Sequence, residues 1–414
     1  MDKEITIRYM KEVNKWWAMP FDILSYKERK IYKEIFSYMK YRQIVAITGL
    51  RRVGKTTIML KIIKDYLESG FPKENIFYFS FDEYSSARIQ EVIDVYGKLV
   101  EKDLREESFL FVFDEVQKVN HWEEQIKVIY DIYPKIKILI SGSESLFIRR
   151  KSRESLAGRI YEFKINPLSF REYLSFRNRK YENMELQKEE IIKEFEGFLL
   201  CNGFPEIIGE ERETAIKYIQ ESIIDRIIFR DLVEVFHVKD TALIKSIFSI
   251  IYNNPGQIIQ IQELARDLGV TRQTLSEYLE YLEEAYLIKK LYNYSRNARK
   301  TQKKLKKYYT TIINPLLIEP DFSRVFEQAI VIQLNAEFFW RDSYKNEVDI
   351  IKTEPLTAIE VKSGEVKEAN LKSLRRFVEL FKPEDAIVIS CDSQKEISGI
   401  KIIPYYRYLL KTAL

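Results

Sequence analysis

The sequence contains very few cysteines and histidines, which limits the metal sites and nucleophilic centres that it can form. There are two of each in 414 residues: Cys201, Cys391, His121 and His237. Two cysteines cannot build a metal cluster by themselves, and such low usage is typical of a reducing cytoplasm. We therefore expect neither a histidine-rich zinc site nor a Ser-His-Asp triad.

The sequence also lacks long apolar runs and a strong net charge. No segment approaches the roughly 20 consecutive apolar residues of a transmembrane helix, and the first residues do not have the apolar stretch of a secretory signal. We therefore expect a cytoplasmic protein without a membrane partner. A net charge of +4 does not by itself indicate a polyanionic partner, so the distribution of charge along the chain matters more than its sum.

A glycine-rich segment near the N-terminus carries the clearest chemical signal. Residues 49–56 match G-x-x-x-x-G-K-[ST] between a predicted buried strand at 43–48 and a predicted helix at 57–69. Glycines let backbone amides surround a phosphate, and a helix N-terminus adds positive potential. The segment predicts an ATP site formed by Gly49, Leu50, Arg51, Arg52, Val53, Gly54, Lys55, Thr56 and Thr57.

The polar residues of this segment have distinct predicted roles. Lys55 reaches the β- and γ-phosphates, the Thr56 hydroxyl binds Mg²⁺, and Thr57 contacts the α-phosphate. A second apolar run, at residues 109–113, ends in two acids. Asp114 is predicted to hold Mg²⁺ through water, and Glu115 is predicted to polarise the attacking water. A solvated acidic turn is the alternative for this pair.

Two further polar residues are candidates for the γ-phosphate. Ser141 follows a predicted strand at 137–140 and is placed either to sense this phosphate or to cap the next helix. Arg159 precedes a predicted strand at 160–165. It is placed to neutralise charge on the phosphate, in cis or across the interface of a homo-oligomer. An ordinary surface ion pair is the alternative for Arg159.

Alternating strands and helices predict an α/β fold with a mainly parallel sheet in the first part of the chain. The predicted strands are 43–48, 75–81, 109–113, 137–140 and 160–165, and the predicted helices are 25–40, 57–69 and 89–104. Residues 191–250 are predicted to be helical, with an interruption at 203–206. We predict four parts: a P-loop domain at 1–175, a helical segment at 176–245, a winged helix at 246–312 and an α/β domain at 313–414.

A helix, a glycine turn and a second helix at residues 261–285 predict a helix-turn-helix. Thr271 caps the second helix. Its exposed positions, Arg272, Gln273 and Ser276, are placed to contact base edges or phosphates of DNA.

The segment that follows is strongly basic and predicts a charged hairpin. Nine basic and no acidic residues lie between positions 289 and 307: Lys289, Lys290, Arg296, Arg299, Lys300, Lys303, Lys304, Lys306 and Lys307. Strands at 287–294 and 305–311 would form a wing whose charge suits a phosphate backbone. The alternative is a protein-binding module on which these lysines are merely solvated.

The last hundred residues contain a second group of carboxylates. Because side chains alternate along strands, pairing residues 346–351 with 358–362 would bring Asp349, Glu360 and Lys362 together. Glu327, in a predicted helix, is a third acid. Asp349 and Glu360 would hold a divalent cation, and Lys362 would orient water for attack on a phosphodiester. A cross-strand salt bridge between Glu360 and Lys362 is the alternative.

Together, these motifs resemble a prokaryotic family of AAA-type P-loop ATPases whose members carry a C-terminal domain of unknown function similar to PD-(D/E)xK nucleases. The resemblance rests on residues 49–57, 113–115, 141–143, 156–159, 167–173, 203–206 and 230–232, and on Glu327, Asp349, Glu360 and Lys362. It implies an ASCE-type sheet in which the strand before Ser141 lies between the strands before Lys55 and Asp114. It also implies a C-terminal fold like that of restriction endonucleases.

Two functions follow as expectations. The first is an ATP-binding and ATP-hydrolysing protein that acts on DNA, uses Mg²⁺, and has a nuclease-like domain that either cleaves or does not. The second is an ATP-dependent regulatory switch with a DNA- or protein-binding winged helix and an inactive scaffold. A cation between Asp349 and Glu360 favours the first function, whereas a salt bridge from Lys362 in that space favours the second.

Overall fold

The computed structural model describes residues 3–23, 26–84, 87–142, 156–297, 301 and 305–411. The chain forms two compact units, residues 1–167 and 168–414. No helix in the described part of the chain combines the length and apolar character needed to cross a membrane. The predicted helical, winged-helix and C-terminal parts all fall in the second unit, and their boundaries stay predictions.

The first unit contains five strands and five α-helices within the described residues. The strands are β1 (Ile44–Gly49), β2 (Ile76–Ser80), β3 (Phe109–Asp114), β4 (Ile136–Gly142) and β5 (Ile160–Ile165). The helices are α1 (Lys3–Val13), α2 (Ile31–Tyr38), α3 (Lys55–Glu68), α4 (Ile89–Val100) and α5 (Trp122–Ile132).

The five strands form a parallel sheet in the order β2-β3-β4-β1-β5. Strands β1 and β3 are buried along their whole length, as expected for a parallel sheet covered on both faces. The order confirms that β4 lies between β1 and β3. Because parallel strands end at the same edge, Gly49, Asp114 and Ser141 lie together at the carboxyl edge of the sheet.

The predicted helix at residues 25–40 is shorter than expected. Helix α2 begins at Ile31, and the residues just before it are irregular. The guanidinium of Arg29 is buried there and donates to the carbonyls of Val53, at 3.0 Å, and Asn166, at 2.8 Å. These non-local hydrogen bonds hold the irregular segment against the loop that follows β1.

The second unit has helices followed by a mixture of strands and helices. Its α-helices are α6 (Phe170–Phe176), α7 (Lys188–Cys201), α8 (Arg212–Lys217), α9 (Leu232–Phe236), α10 (Thr241–Asn253), α11 (Ile261–Asp267), α12 (Arg272–Glu284), α13 (Phe322–Gln333), α14 (Lys372–Phe381) and α15 (Tyr405–Lys411). Two π-helical segments, Tyr218–Ile224 and Ile227–Asp231, lie between α8 and α9. Its strands are β6 (Gln257–Ile258), β7 (Ile288–Asn293), β8 (Lys306–Thr310), β9 (Phe338–Arg341), β10 (Glu347–Thr353), β11 (Leu356–Lys362), β12 (Asp385–Ser390), β13 (Lys395–Ile397) and β14 (Ile400–Pro404).

The predicted wing is part of a larger sheet. Nine strands are ordered β13-β14-β12-β11-β10-β9-β7-β8-β6, so the β7–β8 hairpin continues the sheet of the C-terminal region. Strand β7 pairs in parallel with β9 through Tyr292 and Asn293. The Asn293 side chain donates to the carbonyl of Arg341 at 2.9 Å and accepts from its amide at 3.1 Å. The hairpin therefore has a neighbouring strand on each side instead of a free edge.

Candidate functional site

The loop between β1 and α3 has a backbone shape that suits phosphate binding. Gly49 has a φ of 145°, and a Cβ at this position would collide with the carbonyl of Ile165. Gly54 has a φ of 95° just before α3, where an added Cβ would meet nothing within 4 Å. Helix α3 then begins at Lys55 without a side-chain cap. An uncapped helix N-terminus behind a glycine loop is a favourable anion site.

The Lys55 ammonium lies inside this loop. The residue is 6% exposed, and its Nζ donates to the carbonyls of Gly49, at 3.1 Å, and Leu50, at 3.0 Å. It is also 3.9 Å from Glu115 Oε1. An ammonium has three hydrogen-bond donors and no acceptor. These donors can therefore turn from loop carbonyls to phosphate oxygens without a change in the backbone.

Asp114 is the centre of a polar cluster at the carboxyl edge of the sheet. It is 3% exposed, and its Oδ2 accepts from the hydroxyls of Thr56, at 2.7 Å, and Tyr78, at 3.0 Å. Its Oδ1 accepts from the Ser141 hydroxyl. Burial and the charge of Glu115 raise the pKa of Asp114. The hard oxygens of Thr56 and Asp114 fit Mg²⁺, and a cation there would stabilise the charged carboxylate.

Glu115 is held beside Asp114 in the left-handed region, with a φ of 54°. Its amide donates to the Ser141 hydroxyl at 3.2 Å, and its Oε2 accepts from the Gln117 side chain. Burial raises the pKa of Glu115, but the charges of Lys55 and Arg51 outweigh burial and the pKa is lowered. Glu115 is therefore a carboxylate at neutral pH, which is the form that polarises water.

Two residues of this site were not identified from the sequence. Tyr78 lies in β2, where burial and the Asp114 charge raise the pKa of its hydroxyl, so that it stays protonated and donates to Asp114. A hydroxyl within the apolar run of β2 is a signal that could have identified Tyr78. Arg29, which supports Val53 in the loop, lies in an irregular segment with no local pattern that predicts its role.

The structure does not bring Arg159 to the phosphate loop. Arg159 precedes β5, whose first residue pairs with Ile44 at the start of β1, whereas the loop follows the end of β1. A six-residue strand spans roughly 17 Å. The Arg159 guanidinium instead binds Asp131 at 3.2 Å and lies over the Tyr130 ring. The surface ion pair is therefore the arrangement observed, and a role across a subunit interface stays a prediction.

The structure brings Asp349, Glu360 and Lys362 together on β10 and β11. These strands pair antiparallel, and Asp349 Oδ2 accepts from the Val361 amide at 2.9 Å. Lys362 Nζ lies 2.6 Å from Glu360 Oε1, whereas Glu360 Oε2 is buried and has no hydrogen-bond partner among the described residues. This salt bridge joins two residues of β11, so the pair expected for a scaffold is present, but it is not the cross-strand pair that the sequence predicted.

Glu327 faces the same group of carboxylates from α13, but it binds a lysine that belongs to the basic hairpin. Lys307 Nζ is 2.8 Å from Glu327 Oε1, 2.8 Å from Glu347 Oε1 and 3.7 Å from Asp349 Oδ1. The Tyr309 hydroxyl also donates to Glu327 Oε1, at 2.6 Å. We refer to Lys307, Glu327, Glu347, Asp349, Glu360 and Lys362 as the carboxylate network. No set of three or more His, Cys, Asp or Glu side chains arranged to hold a metal occurs in the described ranges.

The carboxylates of this network differ in protonation. Burial and the Glu327 charge raise the pKa of Asp349 to about 6, and burial and the Asp349 charge raise the pKa of Glu360 to about 8. Burial also raises the pKa of Glu327, but Lys307 outweighs it and the pKa is lowered. Burial lowers the pKa of Lys307, yet Tyr309 and the carboxylates raise it well above its usual value. Lys307 is therefore a charged ammonium.

The other described basic residues of the hairpin also have partners inside the second unit. Lys289 donates to the Asn335 side chain at 2.6 Å, Lys290 pairs with Glu283, and Arg296 donates to the carbonyl of Phe381 at 2.9 Å. Lys306 lies over the Tyr292 ring. The predicted phosphate contacts Arg299, Lys300, Lys303 and Lys304 lie outside the described residues.

Helix α12 presents the polar residues that the sequence predicts. The Thr271 hydroxyl accepts from the Thr274 amide at 3.1 Å, which confirms the cap. Arg272, Gln273 and Ser276 are exposed. The same helix carries the acids Glu277, Glu280, Glu283 and Glu284, so its positive potential is confined to the first turn.

The raised pKa of Glu360 predicts a pH-dependent stability. Between pH 4.5, which is the ordinary pKa of this side chain, and about pH 8, Glu360 holds a proton in the folded chain that it has lost in the unfolded chain. Stability therefore falls as pH rises through this window. Glu360→Gln keeps the uncharged form, so we expect the Tm of this variant to exceed that of the unmodified chain increasingly from pH 5 to pH 8. Calorimetry in EDTA measures the difference.

Glu365→Gln, at an exposed position shortly after β11, is the matched control for this measurement. It should follow the unmodified chain at every pH. A Tm difference between Glu360→Gln and the unmodified chain that stays constant from pH 5 to pH 8 would contradict the burial of a protonated Glu360.

Comparison with protein families gives matches to three successive parts of the chain. A family described as an AAA domain matches residues 41–174. Domain of unknown function DUF8612 matches residues 192–311, and domain of unknown function DUF4143 matches residues 323–408. The first match covers the parallel sheet and the phosphate loop, whereas the other two attach no activity to the second unit.

Two curated proteins that are similar to this chain are named only as uncharacterized proteins. One from Methanocaldococcus jannaschii is 29% identical over 283 residues, which cover 66% of this chain and 62% of the relative. Another, from Haemophilus influenzae, is 29% identical over 273 residues, which cover 64% of this chain and 66% of the relative. The chain thus spans less than two thirds of the length of these relatives.

Solved structures show distant similarity. The Aeropyrum pernix ORC1 protein in complex with DNA has a TM-score of 0.31 and 14% identity, over 70% of this chain and 91% of that one. AMPPCP-bound DnaA from Aquifex aeolicus has a TM-score of 0.29 and 14% identity, over 62% and 86%. The AAA domain match, the parallel sheet and the loop around Lys55 together support an AAA-type P-loop ATPase domain at residues 41–174.

Proposed function

We propose that this chain binds ATP with Mg²⁺, hydrolyses it, and uses the cycle as a regulatory switch. The observation that carries the proposal is the arrangement around Asp114. Its carboxylate binds the Thr56 hydroxyl at 2.7 Å, beside a charged Glu115 and the Lys55 ammonium. These are the metal-binding hydroxyl and acid, the water-polarising base and the phosphate-binding cation of a P-loop hydrolase.

Each residue has a separate role in the proposed reaction. Lys55 binds the β- and γ-phosphates, and Thr56 and Asp114 hold Mg²⁺, which neutralises charge on the phosphates. Glu115 polarises the attacking water, while Ser141 donates to the Asp114 carboxylate and accepts from the backbone amide of Glu115. Because Lys55 lies 3.9 Å from Glu115, a phosphate that draws this ammonium away frees the Glu115 carboxylate for water.

The second unit serves as a scaffold in this proposal and does not cleave DNA. The support is the carboxylate network, in which Lys362 binds Glu360 at 2.6 Å and Lys307 lies between Glu327 and Glu347. A catalytic pair of metal-binding acids needs oxygens that are free to bind the cation. Here Lys307 engages Glu327 Oε1 and Glu347 Oε1, and Lys362 engages Glu360 Oε1, whereas Glu360 Oε2 is buried without a partner among the described residues. Cleavage of DNA in Mg²⁺ that stops in Asp349→Asn would contradict the scaffold role.

DNA contact by α12 is a second candidate function. It is favoured by the exposure of Arg272, Gln273 and Ser276 in the first turns of this helix, behind the Thr271 cap. The acids further along α12 confine any phosphate contact to its beginning.

Glu115→Gln and Lys55→Ala separate nucleotide binding from hydrolysis. We expect Glu115→Gln to bind fluorescent ATP in Mg²⁺ with little change and to release phosphate about 100- to 10,000-fold more slowly, since it lacks the base. Lys55→Ala should lose nucleotide binding and turnover with an unchanged circular dichroism spectrum. Exposed Glu124→Gln is the control. Turnover by Glu115→Gln at the unmodified rate, or no Mg²⁺-dependent ATP binding by the unmodified chain, would overturn the proposal.

Tyr78→Phe tests the support of Asp114. Removing the hydroxyl takes away a hydrogen bond to the buried Asp114 carboxylate. Without this hydrogen bond, we expect the carboxylate to bind Mg²⁺ about tenfold more weakly. We expect turnover to need about tenfold more Mg²⁺ for half-saturation, and the Tm to fall by a few degrees because a buried hydrogen bond is lost. Tyr41→Phe, at an exposed tyrosine in the same unit, should leave this Mg²⁺ dependence unaltered. An unchanged Mg²⁺ dependence in Tyr78→Phe would show that this hydroxyl does not position the metal-binding acid.

DNA contact by α12 predicts a change in salt dependence. If Arg272 binds a phosphate, Arg272→Ala should weaken binding to all duplex sequences and reduce the salt slope by about 1. Fluorescence anisotropy across a salt series measures the slope. Lys401→Ala removes an exposed charge from β14 and should not alter it. An identical slope for Arg272→Ala would exclude this arginine from the contact.

A further inference from the structure

Lys307 is buried although it belongs to the basic hairpin. It is 4% exposed, whereas the preceding Lys306 is partly exposed and lies over the Tyr292 ring. Successive side chains of a strand point to opposite faces. Lys307 and Tyr309 therefore share one face of β8, and both contact Glu327 on that face.

The Lys307 ammonium is surrounded by carboxylates from two elements. Glu327 comes from α13, and Glu347 and Asp349 come from β10; all three lie within 4 Å, at 2.8, 2.8 and 3.7 Å. None of these acids is close to Lys307 in the sequence. The sheet that joins the hairpin to the C-terminal strands is what brings the ammonium among them.

The charges of the surrounding side chains nearly balance. Arg341 binds Glu347 at 3.0 Å, and Lys362 binds Glu360 at 2.6 Å. A buried carboxylate without a cationic partner is strongly unfavourable. Removing one member of a buried ion pair therefore leaves the other with the full cost of its desolvation. Three cations, Lys307, Arg341 and Lys362, face four acids, Glu327, Glu347, Asp349 and Glu360, of which Glu360 holds a proton below about pH 8.

A divalent cation among these acids would need the oxygens that Lys307 now engages. Glu327 Oε1 already accepts from both Lys307 and Tyr309, and Glu347 Oε1 accepts from Lys307. Carboxylate oxygens bind Mg²⁺ or Ca²⁺ at roughly 2.0 to 2.6 Å. An ammonium at 2.8 Å from two of these oxygens therefore competes directly with a metal ion for the same acids.

We propose that Lys307 is the resident cation of Glu327, Glu347 and Asp349, so that strand β8 supplies the positive charge that a divalent metal ion would otherwise provide. This deepens the scaffold role proposed for the second unit and does not depend on ATP hydrolysis. The ion pairs of this ammonium with Glu347 and Asp349 connect the hairpin to strand β10. Removal of the ammonium leaves the three acids without that charge, so that a rearrangement of their side chains can bring a divalent cation among them.

Lys307→Met is the variant that tests this role. It keeps the length and much of the apolar stem of the lysine but removes the charge. In nucleotide-free protein, we expect Lys307→Met to bind one more Mn²⁺ per chain than the unmodified chain, measured by electron paramagnetic resonance of free Mn²⁺. Its Tm should be lowered in EDTA and should rise when Mn²⁺ is added. Lys306→Met, which removes the neighbouring charge from the other face of β8, should behave like the unmodified chain.

Lys307→Met/Glu327→Gln keeps the test decisive if the single variant does not fold without a cation. The double variant removes one charge of each sign, so we expect it to fold in EDTA and to lose the additional Mn²⁺. Mn²⁺ binding by the unmodified chain that disappears in Glu327→Gln would overturn the proposal, because the acids would then hold a metal with Lys307 present. A lower Tm in Lys307→Met that Mn²⁺ does not restore would also overturn it. Phosphate release, measured on the same samples, reports separately on the proposed ATPase.

Discussion

The hydrogen bonding of one buried carboxylate, Asp114, determines how the nucleotide site is organised. Hydroxyls from three elements converge on it: Thr56 from α3, Tyr78 from β2 and Ser141 from β4. An ionised carboxylate is costly to bury unless its oxygens are hydrogen-bonded. The strand order meets this requirement because it places β3 between β2 and β4, so that both neighbours can contribute a donor. The same order brings Ser141 to the amide of Glu115.

Local patterns were sufficient to predict most of this site from the sequence. The phosphate loop is contiguous, and the strands before it and before Asp114 are uninterrupted apolar runs. Arg29 and Tyr78 were missed because their roles depend on non-local neighbours. Arg29 reaches Val53 and Asn166 from an irregular segment, and Tyr78 matters only because β2 lies beside β3. For Arg159, the position just before a strand did not indicate at which edge of the sheet it lies, so the sequence left open the surface ion pair that the structure shows.

In the second unit, the sequence predicted the pieces but not how they join. The helix-turn-helix, the β7–β8 hairpin and the β10–β11 pair each follow from periodicity within a short segment. The β7–β9 pairing that links them involves only two residue pairs, which is too short to leave a pattern. Counting basic residues along the hairpin treats Lys307 as exposed, since a count does not distinguish the two faces of a strand. The alternation of side chains along β8 places Lys307 on the same face as Tyr309. This alternation was the sequence signal that could have indicated the burial of Lys307.

The two units stabilise carboxylates in different ways, and under the proposed function this difference separates a ligand site from a structural one. Asp114 is held by three hydroxyls, which carry no net charge, so its negative charge still favours a bound cation. The acids of the second unit are held by Lys307, Arg341 and Lys362, whose charges already compensate them. Acidic residues next to a lysine are therefore ambiguous in a sequence. What decides their chemistry is whether the donors that reach the carboxylate are neutral, which leaves room for a metal ion, or charged, which removes the electrostatic reason to bind one.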